Sequence, residues 1–280
     1  MLAALTDRSW LWLAAVCYLA GLVSGTVSLL RGQRQSGLAI NSFIVAGYVF
    51  QLAGLALRGQ AVRGCPLGNQ FELYQFTAWS AITLYFVIGV TFRSGMLGYF
   101  TSSLAAALTL VSLSIPAWDA TRRTGLFGGN PWIELHAALA LFSYGVFALL
   151  ALTSVMTLLR HHSLKSKRLG GWFSFLPSVM DLDHISVRLL WTGAILMTAA
   201  LAMGANYWLR NTSLVHFPKL LTTVGVWAAY AVTLGLRLRG RLISTRFAWT
   251  CAVLFGAALL SLWAVNSNHA MAEPPPSVRS

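Results

Sequence analysis

Apolar residues in this chain come in long unbroken stretches, not in alternation. They run near 10–30, 37–57, 74–92, 96–115, 132–159, 187–208, 217–236 and 247–265. Each approaches or exceeds the roughly 20 residues with which a helix crosses about 30 Å of hydrocarbon. Continuous runs predict helices, because barrel strands would alternate with period two, and because a helix in lipid satisfies every backbone amide within its own segment. The expected fold is all-α: a polytopic membrane helix bundle of about eight transmembrane helices, a single membrane domain over 1–280. The first run is longer than a signal-peptide core and ends without a clean small-residue cleavage pattern, so it reads as a retained span. Within it Gly21, Gly25 and Ser28 form a small-residue stripe of the kind that lets neighbouring helices approach closely.

The polar breaks set the orientation. The odd-numbered loops contain Arg31, Arg34, Arg93, Arg160, Lys165, Lys167, Arg168, Arg188, Arg237, Arg239, Arg241 and Arg246, twelve cations. The even-numbered loops contain Arg58, Arg63, Arg122, Arg123, Arg210 and Lys219, six. The positive-inside rule then predicts both termini outside.

Composition agrees with the pattern and narrows the partners. With 57% hydrophobic and 10% charged residues and a mean hydropathy of +0.67, the chain lies outside the range of soluble domains. Its net charge of +13 is scattered over short loops, which suits a cytoplasmic surface held to anionic lipid and argues against nucleic acid. Cys17, Cys65 and Cys251 form neither a CxxC pair nor a CxxCH sequence, so neither thiol exchange nor covalent haem attachment to this chain is supported. Cys17 and Cys251 read as core packing. Cys65, beside Pro66 in an outward loop, reads as a small packed residue ahead of a thiol open to oxidation or to pairing with another chain. His161 and His162 adjoin a Lys/Arg-rich turn, where solvation explains them better than zinc does.

The longer loops carry the candidate chemistry. Cys65-Pro66-Leu67-Gly68-Asn69-Gln70-Phe71-Glu72 is a turn leading into a helix start. Glu72 there either favours the helix N-terminus through the dipole or, with Asn69, shapes a polar mouth above the bundle. Asn130-Pro131-Trp132-Ile133-Glu134-Leu135-His136 supplies an N-cap, proline at the first helical position and an acid in the first turn. His136 follows one and a half turns in. Ala140, Ser143 and Phe147 continue its face, a groove of small residues closed by a ring able to lie against a flat macrocycle. The sixth loop contributes Tyr207, Trp208, Arg210, His216 and Lys219. Its aromatics suit an interfacial belt, and its two cations suit ligand carboxylates such as haem propionates.

Taken in order, these segments resemble the integral membrane cytochrome c assembly family of CcsA, CcmC and HemX type. The matches are Pro66-Leu67-Gly68-Asn69 with Glu72 and Trp79, Leu135-His136 with Tyr144, and Leu176-Pro177-Ser178 leading through Leu182-Asp183 to Arg188-Leu189. Gly204 and Pro218-Lys219 followed by Trp227 and Tyr230 complete them, over about 40–269. The resemblance implies a multi-pass protein of the bacterial inner membrane that presents non-covalent haem b at the outer face. It implies His136 and His269 as the two outward ligands of the haem iron, with His216 as an alternate. The implied partners are haem and apocytochrome c or another assembly subunit in the membrane. Two departures stand out. The family's Trp-Gly-x-x-Trp-x-Trp-Asp stretch is replaced by Tyr207, Trp208, His216 and Phe217, and Leu234-Gly235 stands where CcsA-type proteins place a membrane histidine.

Three readings follow: a haem-handling factor in cytochrome c biogenesis, a degenerate member acting as a scaffold without haem, and a small-molecule transporter. No inverted repeat, broken helix pair or intramembrane ion pair is evident in the sequence to favour transport. No serine or cysteine has an evident base beside it, so an assembly factor is expected over a self-sufficient haem lyase.

Overall fold

A computed structural model describes residues 6–31, 37–89, 95–125, 130–167, 176–210 and 217–272, with side chains excepted at 37, 88–89, 95–96, 207–210, 217–219 and 262–272. The described residues form eight α-helices: α1 Asp7–Leu30, α2 Gly37–Val62, α3 Gln70–Gly89, α4 Gly95–Ser114, α5 Pro131–Lys165, α6 Val179–Arg210, α7 Phe217–Leu238 and α8 Thr245–Ala272. A short 3-10 turn, Pro116–Asp119, follows α4. Among the described residues six helices, α1, α2, α4, α5, α6 and α7, are long and apolar enough to cross a membrane, and the described stretch Thr245–Ser261 of α8 is a shorter apolar helix. The chain is therefore a multi-pass helical membrane protein.

Local chemistry explains the helix starts. Thr6 caps α1 by accepting from the Ser9 N–H, and Asp7 occupies its first turn. Asn130 caps α5 by accepting from the Trp132 N–H at 3.0 Å, with Pro131 at the first helical position. Inside the spans, threonine and serine hydroxyls donate back to their own helix, as Thr77 does to the Leu73 carbonyl and Thr157 to the Thr153 carbonyl. Such bonds remove polar groups from lipid without a partner helix.

The helices pack as two groups joined through α5. α1 lies along α2 and α4, and α4 along α3; α5 lies along α6 and α8, and α3 packs against α5. α7 touches α6 and α8 but is the least buried span. Small residues make the close contacts. A Cβ on Gly21 would stand 2.7 Å from the Ser102 hydroxyl, and one on Gly25 would stand 3.0 Å from Tyr99 Cε2, so the stripe read from α1 does seat it on α4. Gly145 lets α5 approach α3, where a Cβ would meet Ser80 Cβ at 2.7 Å and the Ala81 amide nitrogen at 2.9 Å.

Polar residues hold the first group together. The Tyr18 hydroxyl donates to Gln51 Oε1 at 2.9 Å, Gln51 Nε2 donates to Gln75 Oε1 at 2.9 Å, and Gln75 Nε2 donates to the Ser112 hydroxyl at 2.8 Å. This ladder ties α1, α2, α3 and α4 in the fully buried interior. In hydrocarbon each amide finds a partner only in another side chain or backbone group, so the ladder fixes helix register as well as contact.

Candidate functional site at the helix ends around His136

His136 sits in the second turn of α5, part-buried against α6. Its Nδ1 lies 2.6 Å from the Ala200 carbonyl oxygen. The ring edge passes directly over Gly204, where a Cβ would lie 2.6 Å from Cε1, 3.0 Å from Nδ1 and 3.3 Å from Nε2. Below it the Ser143 hydroxyl donates to the Ala140 carbonyl at 2.6 Å. Phe147 does not close a ligand groove as the face pattern suggests. It is fully buried and stacks on Tyr230 with ring centroids 3.6 Å apart, while Gly193 of α6 abuts its edge. The ring is filled by helix packing, about three turns below His136.

The other candidate residues fall in different places. His269 lies in α8, Tyr207, Trp208 and Arg210 lie in the last turns of α6, and Lys219 lies in the first turn of α7; their side chains are outside the described set. His216 lies outside the described residues altogether. Glu72 is not brought to His136. Its carboxylate accepts from Arg58 Nε at 2.7 Å and from the Gly68 N–H at 2.6 Å, while Asn69 Oδ1 accepts from the Glu72 N–H at 2.9 Å. Asn69 thus caps α3, and the Glu72 carboxylate is engaged by Arg58 and the Gly68 amide.

Arg58 is the residue that sequence reasoning misplaced. It is no loop cation: it lies inside α2 with a fully buried side chain. It pairs with Glu72, with Asp7 at 2.8 Å and with Asp119, and its guanidinium carbon stands 4.9 Å over the Phe71 ring. Arg8 adds a second contact to Asp119 at 3.2 Å, and Arg122 one to Asp7 at 3.2 Å. Three cations face three carboxylates, so the cluster is neutral. It ties end turns of α1, α2 and α3 to the 3-10 turn after α4. The helix alternation places this cluster and His136 at the same end of the bundle: Glu134, two residues before His136, packs its carboxylate against Gly64 in the loop between α2 and α3.

Cys65 belongs to that loop and is partly buried against the α5 side of the core. Burial pushes its thiol up to about 11, and the carboxylates of Glu134 and Glu72 add to the shift. It is a packed, weakly acidic thiol, and the three cysteines are all unpaired. At the opposite end His161 Nε2 hydrogen-bonds the Ser244 hydroxyl, and Arg237 pairs with Asp183. Among the described residues no group of three histidine, cysteine or carboxylate side chains could hold a metal ion. An apolar cavity of about 290 Å³ opens between α7 and α8, bordered by Gly225, Ala229, Tyr230, Ala257 and Ser261.

A multi-pass helical bundle with a histidine held at one end of its helices defines the class. The profile of the Cytochrome C assembly protein family matches residues 67–271, and the chain belongs to that family. It is 23% identical over 228 residues to Protein HemX of Bacillus subtilis (strain 168), covering 80% of this chain and 82% of the relative. It is likewise 23% identical over 225 residues to Inner membrane protein YpjD of Escherichia coli (strain K12), covering 79% and 83%. Similarity to Cytochrome c biogenesis protein CcsA of Microcystis aeruginosa (strain NIES-843 / IAM M-2473) is 25% over 151 residues, 53% of this chain and 44% of that protein. The matched region begins after α2. α1 and α2 thus lie outside it, yet supply Asp7, Arg58, Tyr18 and Gln51 to the buried networks.

Proposed function

We propose that this protein handles haem in cytochrome c biogenesis, holding a non-covalent b-type haem at the outer face of the bacterial inner membrane with His136 and His269 as the iron ligands. Membership of the assembly family and the likeness to a CcsA protein support the pathway. The observation that carries the ligand pair is the register of α5 against α8.

Two contacts set that register. His161 meets Ser244, and the Cys251 thiol lies within hydrogen-bonding reach of the Ser154 hydroxyl. Moving from the first contact to the second takes seven residues back along α5 and seven forward along α8, as antiparallel packing requires. Eighteen further residues on each helix lead to positions 136 and 269. Eighteen residues are five whole turns and a rise of about 27 Å, so a pair of helices continued in this register brings the backbone at 136 and 269 back to a common level. An antiparallel pair in this register supports two imidazoles on one metal.

His136 fits the role chemically, since a ring nitrogen held by a backbone carbonyl is how proteins orient a metal-binding imidazole. Bound haem would supply a redox-active iron. Tyr207, Trp208 and His216 would border the porphyrin, with His216 as an alternate ligand, and Arg210 and Lys219 would pair with its propionates. In this reading both termini lie outside, and apocytochrome c or another membrane subunit receives the haem. The absence of the tryptophan-rich stretch before Pro218 and of a histidine at Leu234-Gly235 supports an accessory role over a self-sufficient lyase. The same departure favours a second reading, a scaffold without haem, and one experiment decides between them. The protein purified in detergent and titrated with haemin is expected to show a Soret band that His136→Ala and His269→Ala each abolish. Equal haem in all three, or none in the unaltered protein, overturns the assignment.

A further inference from the structure

We infer that α6 decides which nitrogen of His136 is offered to iron: the Ala200 carbonyl holds the proton on Nδ1, leaving the Nε2 lone pair as the ligand, and Gly204 is the positioning residue that permits this. The iron part rests on the haem-handling function proposed for this site; the proton part does not.

A carbonyl oxygen only accepts hydrogen bonds. At 2.6 Å from the Ala200 oxygen, an unprotonated Nδ1 would set two lone pairs against each other. Nδ1 therefore carries hydrogen and donates, and in the neutral ring the other nitrogen keeps its lone pair. Ala200 lies inside α6, where helical bonding already gives its carbonyl the Gly204 N–H four residues on. A carbonyl has two lone pairs, so it accommodates both donors.

Gly204 acts twice in this arrangement. Its N–H closes the carbonyl that orients the ring, and its missing side chain is the space the ring occupies. A Cβ there would fall 2.6 Å from Cε1 and 3.0 Å from Nδ1. The obstruction would be on the edge bearing both nitrogens, so even alanine must displace the imidazole and lengthen its bond to Ala200. A hydrogen bond from the far ring nitrogen makes a metal-bound imidazole a stronger donor to ferric iron.

The test has an arm without haem and an arm with it. In protein carrying ¹⁵N-histidine and no haem, the signals lost in His136→Gln identify His136, and they are expected to show a protonated Nδ1 and a bare Nε2. In Gly204→Ala those signals are expected to move toward a tautomer mixture, and haemin affinity to fall about 10- to 100-fold, with low-spin six-coordinate bands weakened and the midpoint potential raised. Gly235→Ala, at a position with open space around it, is the control and is expected to change neither readout. A protonated Nε2 in the unaltered protein overturns the inference, whether or not Gly204→Ala folds. So does a Gly204→Ala protein with unaltered tautomer, affinity and bands. If the unaltered protein binds no haem while its Nδ1 is protonated, the haem reading fails and the positioning by α6 stands.

Discussion

Arg58 donates through Nε to Glu72 at 2.7 Å, and neither side chain is accessible: Arg58 is 0% and Glu72 2% exposed. The pair is the centre of a neutral cluster that closes one end of the bundle, and it joins α2, outside the family-matched region, to α3 within it.

Removing the cation leaves the Glu72 carboxylate buried without a counter-ion, while Asp119 keeps Arg8 and Asp7 keeps Arg122. Arg58→Met is expected to destabilise the folded protein by about 3–5 kcal/mol, the usual cost of breaking a buried pair from one side. Unfolding by denaturant in detergent micelles measures it. Glu72→Gln is expected to lose stability while the folded fraction binds haemin as the unaltered protein does, because the carboxylate faces Arg58 and not His136. Lost haem affinity in folded Glu72→Gln would return Glu72 to the binding site.

The amide ladder makes a quantitative prediction of its own. Gln51→Leu takes the acceptor from the Tyr18 hydroxyl and the donor from Gln75 Oε1, and Gln75→Leu takes one side-chain partner each from Gln51 and Ser112. Each change is expected to cost about 1–3 kcal/mol, the penalty of leaving buried polar groups unmet. The double variant is expected to cost less than the sum by about 0.6–1.7 kcal/mol, the range of interhelical hydrogen bonds in membranes. Strict additivity in a double-mutant cycle would show that the two glutamines do not cooperate.

The helices were legible because an unbroken apolar run of membrane-crossing length can satisfy its backbone in lipid only as a helix, but their ends followed polar chemistry that hydropathy does not see. α6 starts at Val179 instead of near 187, because Ser178 accepts from the Asp181 N–H at 3.2 Å and donates to its carboxylate at 2.7 Å. α5 continues through Arg160, His161 and His162 to Lys165. His136 was legible from its cap, proline and helical face. Its contact with Ala200 was not, since the two are 64 residues apart and periodicity speaks only within one segment. The same limit hid the Asp7, Arg58, Glu72 and Asp119 cluster, drawn from four separate stretches. Phe147 shows the converse error: the face was right, but Tyr230 already occupies it.

Two glycines of the C-terminal half are expected to respond oppositely to one methyl group. Gly145→Ala drives Cβ into Ser80 and the Ala81 backbone, which cannot rotate away, so overpacking should cost about 1–3 kcal/mol. Gly235→Ala meets nothing within 4 Å and should be neutral or stabilising by up to about 1 kcal/mol through helix propensity. Thermal unfolding of the two variants in detergent compares them. Equal effects would mean that α3 and α5 are not in close contact.

Cys65 provides a pH-dependent check on the loop that packs beside Glu134. Its folded-state value of about 11, against an ordinary 9.0, cuts the thiolate fraction near pH 8 by about a hundredfold, and the thiolate is the reactive form. Iodoacetamide labelling of the folded protein, followed at Cys65 by peptide mass spectrometry, should be slower than in denatured protein by about that factor. The rate should climb until pH passes about 11. Because the folded state holds its proton more tightly, this group's contribution to stability is complete below pH 9.0 and declines between 9.0 and about 11. Glu134→Gln removes one carboxylate that raises the value, so labelling at pH 8 should accelerate without unfolding. A Cys65 that reacts at the denatured rate at pH 8 would show the loop lifted away from α5.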